Sequence, residues 1–403
     1  KKGHGIYHPV HWLDIDSDNF SAEILAQAFV YMVNKHPTLR TRFFTYLDNE
    51  YIQVVQTTLS ECLHIYDLSA DNHVMQEKKI EEICQLERDT PFELEQLNFR
   101  FKLYKRSSSS WGLLLSTHHA IEDGWGLIQF LGELLITYQK IKLGENLVSI
   151  EPKVNVFREQ IALELEAATV LEHHKAWQAL LADFQCLPKC PVVTDSEKSE
   201  SQQLVFCLSK DKVADLTLFA QQRKVQLKTL LMVAYYRVIG ELVSTNHVTI
   251  DIVSSGRSPR LSDPLYSLGL FWRFLPIPIV LSNNNNELID AVSTKMWQAN
   301  AHALYPLHKI KQITAVDNMT YVSFNYVNFS GGVASQKGSD VVIKKRYFSD
   351  RFHHAIQLAI SLNEATEELD CYLDFSLLAF TLPQMKQVIA SFKRELALLL
   401  LTD

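Results

Sequence analysis

Hydrophobic and polar residues follow two alternating patterns along the chain. Apolar residues recur every three or four positions in several long segments, which predicts helices with one buried face. These segments include 22–36, 127–138, 227–243 and 382–401. Other segments, at 99–105, 112–117, 247–254 and 319–329, are continuously apolar or alternate between apolar and polar residues, which predicts strands. Helices and strands alternate in both halves, so the fold class expected is α/β (α+β).

One polar segment without periodicity, 191–203, separates the two halves and is the predicted linker. A chain of 403 residues is too long for one small core. We therefore expect an N-terminal lobe over 1–190 and a C-terminal lobe over 204–403, each with helices packed on a mixed sheet. Gly144 is expected to end the helix that follows Gly124.

Composition excludes several classes of function. The net charge of −7 gives no electrostatic reason to bind nucleic acid. No segment approaches the ~20 apolar residues of a membrane span, and the first residues lack the apolar core of a signal peptide. Of the six cysteines only Cys186 and Cys190 are close, and a zinc site needs further ligands. Free thiols are typical of a reducing compartment, so we expect a cytoplasmic protein without a metal.

The segment "STHHAIEDGWG", 116–126, concentrates chemistry at the end of a predicted strand. Packing, a metal site or catalysis could each explain His118 and His119. Adjacent side chains on an extended chain point to opposite sides, which argues against a two-histidine metal site. A neutral imidazole suits proton transfer near neutral pH. Asp123 can cap the next helix or orient an imidazole, and Gly124 permits a positive φ or a close backbone approach.

The chain contains a natural comparison for this motif, since "FHHAI" occurs again at 352–356. His353 and His354 lack the following Asp-Gly, so we expect them to be structural. The first motif suits acyl transfer, but the chain offers no serine or cysteine in a G-x-S-x-G type of elbow. Direct attack by a bound acceptor therefore fits better than a covalent acyl-enzyme.

"HHAIEDG" matches HHxxxDG, and with it the chain resembles the condensation domains of nonribosomal peptide synthetases and the wider CoA-dependent acyltransferase superfamily. Further segments agree in order and spacing, namely "KHPTLRTRF", "VSSGRSPR", "LGLFWRFLPI", "ALYPLHKI" and "VSFNYVNF". The resemblance covers about residue 12 to the end of the chain.

The resemblance implies two chloramphenicol-acetyltransferase-like lobes in a V-shaped pseudo-dimer with a central tunnel. Donor and acceptor would arrive on the phosphopantetheine arms of carrier proteins, and the domain itself would bind no cofactor. By position His119 is catalytic, either taking a proton from the acceptor amine or holding and orienting it. His118 supports it, and Asp123 is structural and paired with Arg257. Gly124 lies near the predicted N-terminus of a helix, where backbone N–H groups could face a developing oxyanion.

The chain departs from the family pattern before Leu-Pro, where Trp272, Arg273 and Phe274 stand in place of Asn-Thr. Arg273 either binds an acidic group or points to solvent or to a carboxylate. With Trp125 and Trp272, it is assigned to the substrate tunnel. Arg40 and Arg42 are expected in ion pairs at the foot of a helix.

Three functions remain open from the sequence. The first is amide formation, the second ester formation or transfer to a free acceptor, and the third a non-catalytic domain that recruits a partner enzyme. The intact His119 weighs against the third. Heterocyclisation and epimerisation are disfavoured by the motif and by the helix after it. The abrupt ends of the chain suggest a domain excised from a larger synthetase, with a standalone enzyme as the alternative.

Overall fold

A computed structural model describes residues 6–46, 51–60, 63–147, 156–188, 201–327, 341–350, 353–363 and 366–401. The chain divides into two compact units, each discontinuous in sequence. The first unit comprises 1–160, 257–271 and 331–352, and the second comprises 161–256, 272–330 and 353–403. The sequence analysis predicted two continuous lobes, 1–190 and 204–403, whereas each observed unit contains segments from both halves of the chain. Residues 191–200 of the predicted linker lie outside the described residues, and 201–203 belong to a strand.

The bounds of the elements follow the hydrophobic patterns closely. The strands are β1 (Val10–Asp16), β2 (Thr41–Thr45), β3 (Tyr51–Val55), β4 (Leu63–Asp67), β5 (Phe99–Lys105), β6 (Ser110–Thr117), β7 (Ser201–Leu208), β8 (His247–Ser254), β9 (Arg273–Val280), β10 (Val322–Val327), β11 (Val342–Ser349), β12 (Ile356–Asn363) and β13 (Glu368–Ser376). The helices are α1 (Ala22–Lys35), α2 (His73–Arg88), α3 (Gly124–Lys142), α4 (Val156–Thr169), α5 (Leu171–Leu180), α6 (Lys210–Gln222), α7 (Leu227–Val243), α8 (Asn285–Ala301), α9 (Leu307–Thr314) and α10 (Leu382–Leu399).

The first unit is built on a sheet of order β11-β1-β6-β5-β4. Its pairs are antiparallel except β4 with β5. One face packs on α1 and α3 through aromatic residues such as Phe29, Phe101 and Phe130. At Gly112 a Cβ atom would lie 2.1 Å from the Trp12 ring, so only glycine lets β6 pass this ring. The packing fixes β6, whose end carries the His118–His119 motif.

The second unit contains a sheet of order β7-β13-β12-β10-β8-β9. Strands β8, β10 and β12 run parallel, and the outer pairs are antiparallel. The helices α7 and α10 cover it with a large apolar core. The strand β9 carries two prolines and lies at the edge of the sheet, where proline is tolerated.

Most local predictions are confirmed. Ser21 caps α1 by accepting a hydrogen bond from the Ile24 N–H, and Gly144 ends α3 with a φ of 72°. The mixed α/β composition is confirmed in both units. The helical stretch after Val156 is divided into α4 and α5, which meet at Val170. Among the described residues, no helix has the length and hydropathy needed to cross a bilayer.

Candidate active site

The predicted motif forms a short loop between a buried strand and a helix of the first unit. The strand β6 ends at Thr117 and α3 begins at Gly124. The backbone N–H of His118 donates to the Asn98 carbonyl, and that of His119 donates to the Tyr7 carbonyl. Two long-range backbone bonds therefore hold the histidine pair before the chain turns into the helix.

His119 is buried, and both of its ring nitrogens have partners. Nδ1 lies 3.0 Å from the Glu122 carbonyl oxygen, to which it donates, and Nε2 lies 3.0 Å from Oδ2 of Asp350. Burial alone would lower the pKa of His119, but the Asp350 carboxylate outweighs it and raises the pKa to about 9. The ring is therefore an imidazolium near neutral pH, with one proton fixed on Nδ1 and the other on Nε2.

His118 has the opposite electrostatic environment. Its Nδ1 accepts a hydrogen bond from the Ala120 N–H at 3.0 Å, so this nitrogen carries a lone pair. Burial, followed by the neighbouring His119, lowers the pKa of His118 to about 4. The two adjacent imidazoles therefore differ in charge, which agrees with the expectation that one is packed while the other bears the chemistry.

Asp123 and Arg257 form the predicted ion pair. The Arg257 guanidinium donates to Oδ1 of Asp123 at 2.6 Å, and both side chains are almost fully buried. The same carboxylate accepts from the backbone N–H of Gly126 at 2.7 Å and from that of Phe271 at 3.2 Å. Asp123 thereby caps α3 and ties the helix to the segment 257–271. The partners of Asp123 are thus one guanidinium and two backbone N–H groups, so its carboxylate does not orient an imidazole.

The first residues of α3 differ in part from expectation. Gly124 does not have a positive φ, since the described glycines with that geometry are Gly144, Gly256 and Gly269. It begins the helix instead, where any residue finds the same backbone angles. The Trp125 indole is half-buried and its N–H donates to the Leu265 carbonyl at 2.7 Å.

Two acidic residues at this site were not singled out from the sequence. Glu122 is buried, and the Thr117 hydroxyl donates to its carboxyl at 2.7 Å. Burial raises the pKa of Glu122 to about 8 against the effect of His119, so its protonated form dominates near neutral pH. Glu122 stands inside the motif and could have been noticed there. Asp350 is 231 positions from His119, and no sequence signal connects them.

Arg40 corrects another expectation. It is buried beside the end of α1, but it makes no ion pair with a carboxylate in the described part of the chain. Its guanidinium donates to backbone carbonyls at Val33, Asn34, Gln56 and Thr57. A single arginine satisfies several carbonyls at the end of a helix, since it presents five N–H donors.

Arg273 and Trp272 belong to the second unit. The Arg273 guanidinium donates to Glu164 at 2.7 Å and to the Ala303 carbonyl at 2.7 Å. This is the pairing with a carboxylate that the sequence left as one alternative. Trp272 packs edge-to-face on Phe274, with ring centroids 4.9 Å apart.

The cysteine pair of the sequence lies only partly within the described residues. Cys186 is an exposed free thiol, and Cys190 lies outside them. The Asp350 carboxylate and the backbone carbonyl of Glu122 flank the protonated imidazole of His119. This set can hold and deliver a proton at Nε2 of His119, and a protonated imidazole is not a metal ligand.

Comparison with known proteins adds an independent finding. A family model described as Condensation domain matches residues 3–401. In sequence the chain is similar to bacitracin synthase 1 from Bacillus licheniformis, with 25% identity over 298 residues, which is 72% of this chain and 6% of that protein. The chain thus spans only a small part of this relative's length.

Solved structures agree on the fold. The first condensation domain of the calcium-dependent antibiotic synthetase, in complex with a substrate analogue, matches with a TM-score of 0.81 at 14% identity, covering 98% of this chain and 92% of that one. A complex of the X-domain and OxyB from teicoplanin biosynthesis matches with a TM-score of 0.80 at 14% identity, covering 99% and 90%. At such identities these two matches show the fold alone.

Proposed function

Because the chain belongs to the condensation-domain family of nonribosomal peptide synthetases, whose chemistry is acyl transfer that forms peptide bonds, we propose that it joins an acyl thioester to an acceptor amine. The observation that carries this proposal is the intact motif at 118–124, with His119 buried and held at both nitrogens. Donor and acceptor carrier proteins are its proposed partners, and their phosphopantetheine arms would bring the two substrates.

The proposed reaction balances without a cofactor. The acceptor nitrogen attacks the thioester carbonyl carbon, the C–N bond forms and the C–S bond breaks. One proton leaves the nitrogen and one proton joins the departing sulfur. The protein therefore needs to orient the amine, stabilise the oxyanion of the tetrahedral intermediate and allow this proton to move.

His119 is the group that we assign to the reacting atoms. The Glu122 carbonyl holds Nδ1–H, so Nε2, which faces Asp350, is the nitrogen that we assign to the substrate. The raised pKa of about 9 favours an imidazolium, which donates a hydrogen bond and does not accept a proton. This supports the role of holding and orienting substrate over that of general base. His118, with its lowered pKa, is the supporting residue.

Asp123 and Arg257 are proposed to maintain the shape of the site. Their bonds go to one another and to backbone groups, so the Asp123 carboxylate has no route to a substrate proton. Trp125, Trp272 and Arg273 stay candidates for the substrate tunnel. The bonds of Arg273 to Glu164 and Ala303 favour a structural role for its charge.

The test is a reconstituted reaction followed by intact-protein mass spectrometry. An acyl-loaded donor carrier protein is mixed with this chain and with acceptors that are carrier-bound or free and that bear an amine or a hydroxyl. Transfer to an amine that disappears in His119→Ala supports condensation. Selective transfer to a hydroxyl would replace the proposal with ester formation. If transfer persists in His119→Ala, the assignment of this residue is wrong.

A further inference from the structure

The second "HHAI" segment forms a cluster of ligand-type side chains in the second unit. His353 and His354 lie in a bend immediately before β12, and Asp251 lies in β8. One nitrogen from each ring and one carboxylate oxygen all lie within 4.8 Å of one another. The bend explains why two successive side chains approach the same point, which an extended strand would prevent.

The register of the sheet places a row of polar residues beside this cluster. Asp251 of β8 is aligned with Ser323 of β10, and Ser323 is aligned with Gln357 of β12. All three are buried in a sheet whose core is otherwise apolar. The Ser323 hydroxyl donates to Oε1 of Gln357 at 3.3 Å, and Asp251 pairs with His354, so these buried polar groups bind one another. The row places hydrogen-bonding groups beside the cluster.

His354 makes the most demanding contact. Its side chain is fully buried, and Nε2 lies 2.8 Å from Oδ2 of Asp251. Its other ring nitrogen, Nδ1, is also buried and has no hydrogen-bond partner among the described residues. The Asp251 contact therefore leaves one polar atom of this buried ring unsatisfied, which is unfavourable in a native protein.

His353 supplies the second imidazole. Its ring lies on that of His354 with centroids 4.0 Å apart. Loss of water around the ring, then His354 and then Lys311, lower the pKa of His353 to about 3. Phe274 packs edge-on against both rings and forms an apolar wall.

We propose that Asp251, His353 and His354 bind a divalent transition-metal ion of the zinc type. Two imidazoles and one carboxylate are a common zinc donor set, in which the fourth position is left for water or a ligand. A tetrahedral ion with bonds of about 2.0 Å would hold a nitrogen and an oxygen about 3.3 Å apart. The present separation of 2.8 Å between His354 and Asp251 therefore needs only a small opening as the ion replaces the shared proton.

Equilibrium dialysis of the full chain against Zn²⁺ tests the proposal. The protein is first stripped with a chelator, and its thiols are alkylated to remove binding at cysteines such as the exposed Cys186 and Cys207. We expect one ion per chain. His353→Gln and Asp251→Asn should each weaken Zn²⁺ binding by more than ~10-fold. A loss of ~10-fold is already typical when only a residue that hydrogen-bonds to a metal ligand is replaced. Co²⁺ should give visible d–d absorption that both variants lose.

His173→Ala is the matched control. His173 belongs to another histidine pair of the same unit, in which its Nδ1 lies 2.8 Å from Nδ1 of His302. The His173→Ala variant should bind Zn²⁺ as tightly as the unmodified chain. Lys311→Met should tighten binding, since it removes a positive charge near His353. Failure of the unmodified chain to bind Zn²⁺, or equal binding by the His353 and Asp251 variants, would overturn the proposal. His353 is exposed, so His353→Gln is expected to fold, which circular dichroism verifies.

Discussion

The same four residues, HHAI, occur twice in this chain and form two different environments. In each copy the second histidine uses Nε2 to meet an aspartate, His119 with Asp350 at 3.0 Å and His354 with Asp251 at 2.8 Å. The likeness ends at Nδ1. In His119 this nitrogen donates to the Glu122 carbonyl, whereas in His354 it has no partner among the described residues.

The residues that follow the tetrapeptide explain the difference. After the first copy, the backbone carbonyl of Glu122 accepts a hydrogen bond from the His119 ring. Asp123 then caps α3 and binds Arg257. After the second copy the chain enters β12 directly, and the strand uses its backbone groups for the sheet. A histidine pair therefore takes its chemistry from the loop or strand that continues it. The pair itself contains too little information.

The largest expected loss of stability comes from breaking the Asp123–Arg257 ion pair, which follows the first copy of HHAI. Arg257→Ala leaves the buried Asp123 carboxylate without its charge partner, so the free energy of unfolding should fall by about 3–5 kcal/mol. Urea denaturation measures this. Arg394→Ala, which loses an exposed pair with Glu241, is the control and should cost no more than about 1 kcal/mol. An equally small loss for Arg257→Ala would contradict the anchoring role.

Removing the imidazole of the first copy should abolish most of the chemistry. His119→Ala is expected to reduce single-turnover acyl transfer by ~10²-fold or more, the scale of a lost hydrogen-bond donor that stabilises the transition state. Quenched-flow sampling with intact-mass detection measures the rate. His173→Ala, which removes the contact of His173 with His302 in the second unit, serves as the control and should transfer normally. A rate near normal in His119→Ala would remove this residue from the mechanism.

Asp350→Asn should change how stability depends on pH. The folded state raises the pKa of His119 from 6.5 to about 9, so its contribution is complete below pH 6.5 and is lost as pH rises through about 9. Unfolding free energies between these values should therefore decline in the unmodified chain. The decline should be smaller in Asp350→Asn by more than ~1 kcal/mol, since one pKa unit is worth that much. Identical slopes for both proteins would show that Asp350 does not hold the proton.

Glu122→Gln should have the smallest effect. The pKa of Glu122 is raised to about 8 by burial, so its neutral form, which Gln imitates, prevails near neutral pH. We expect a change in unfolding free energy of about 1 kcal/mol or less there. Ionising this buried group costs stability as pH rises from 4.5 through about 8, and Gln should abolish that loss. Calorimetry at two pH values measures it. A large loss of stability at neutral pH would mean that the carboxylate itself is required.

The sequence predicted the elements that local patterns determine. The bounds of β5 and α7 coincide with the predicted segments, because their apolar spacing is regular. The ion pair of Asp123 with Arg257 was expected from family resemblance, and it is present. The helix and the strand depend on regular apolar spacing, and the ion pair was expected because several segments of the chain resemble the family.

The parts that were missed depend on long-range pairing. The strand β11 joins the sheet of the first unit through β1, although it follows several elements of the second unit in sequence. It is this pairing that brings Asp350 to His119, and no local pattern encodes it. The carbonyl partners of Arg40 were missed for a similar reason, since backbone acceptors are invisible in a sequence.

The charge state of His119 is the central claim of this account, and nuclear magnetic resonance can measure it directly. In a chain labelled at histidine, the ring signal assigned by its loss in His119→Gln should titrate near pH 9 and move to lower pH in Asp350→Asn. That result would establish a proton held between His119 and Asp350. A signal that titrates at or below 6.5, unchanged by Asp350→Asn, would contradict the account.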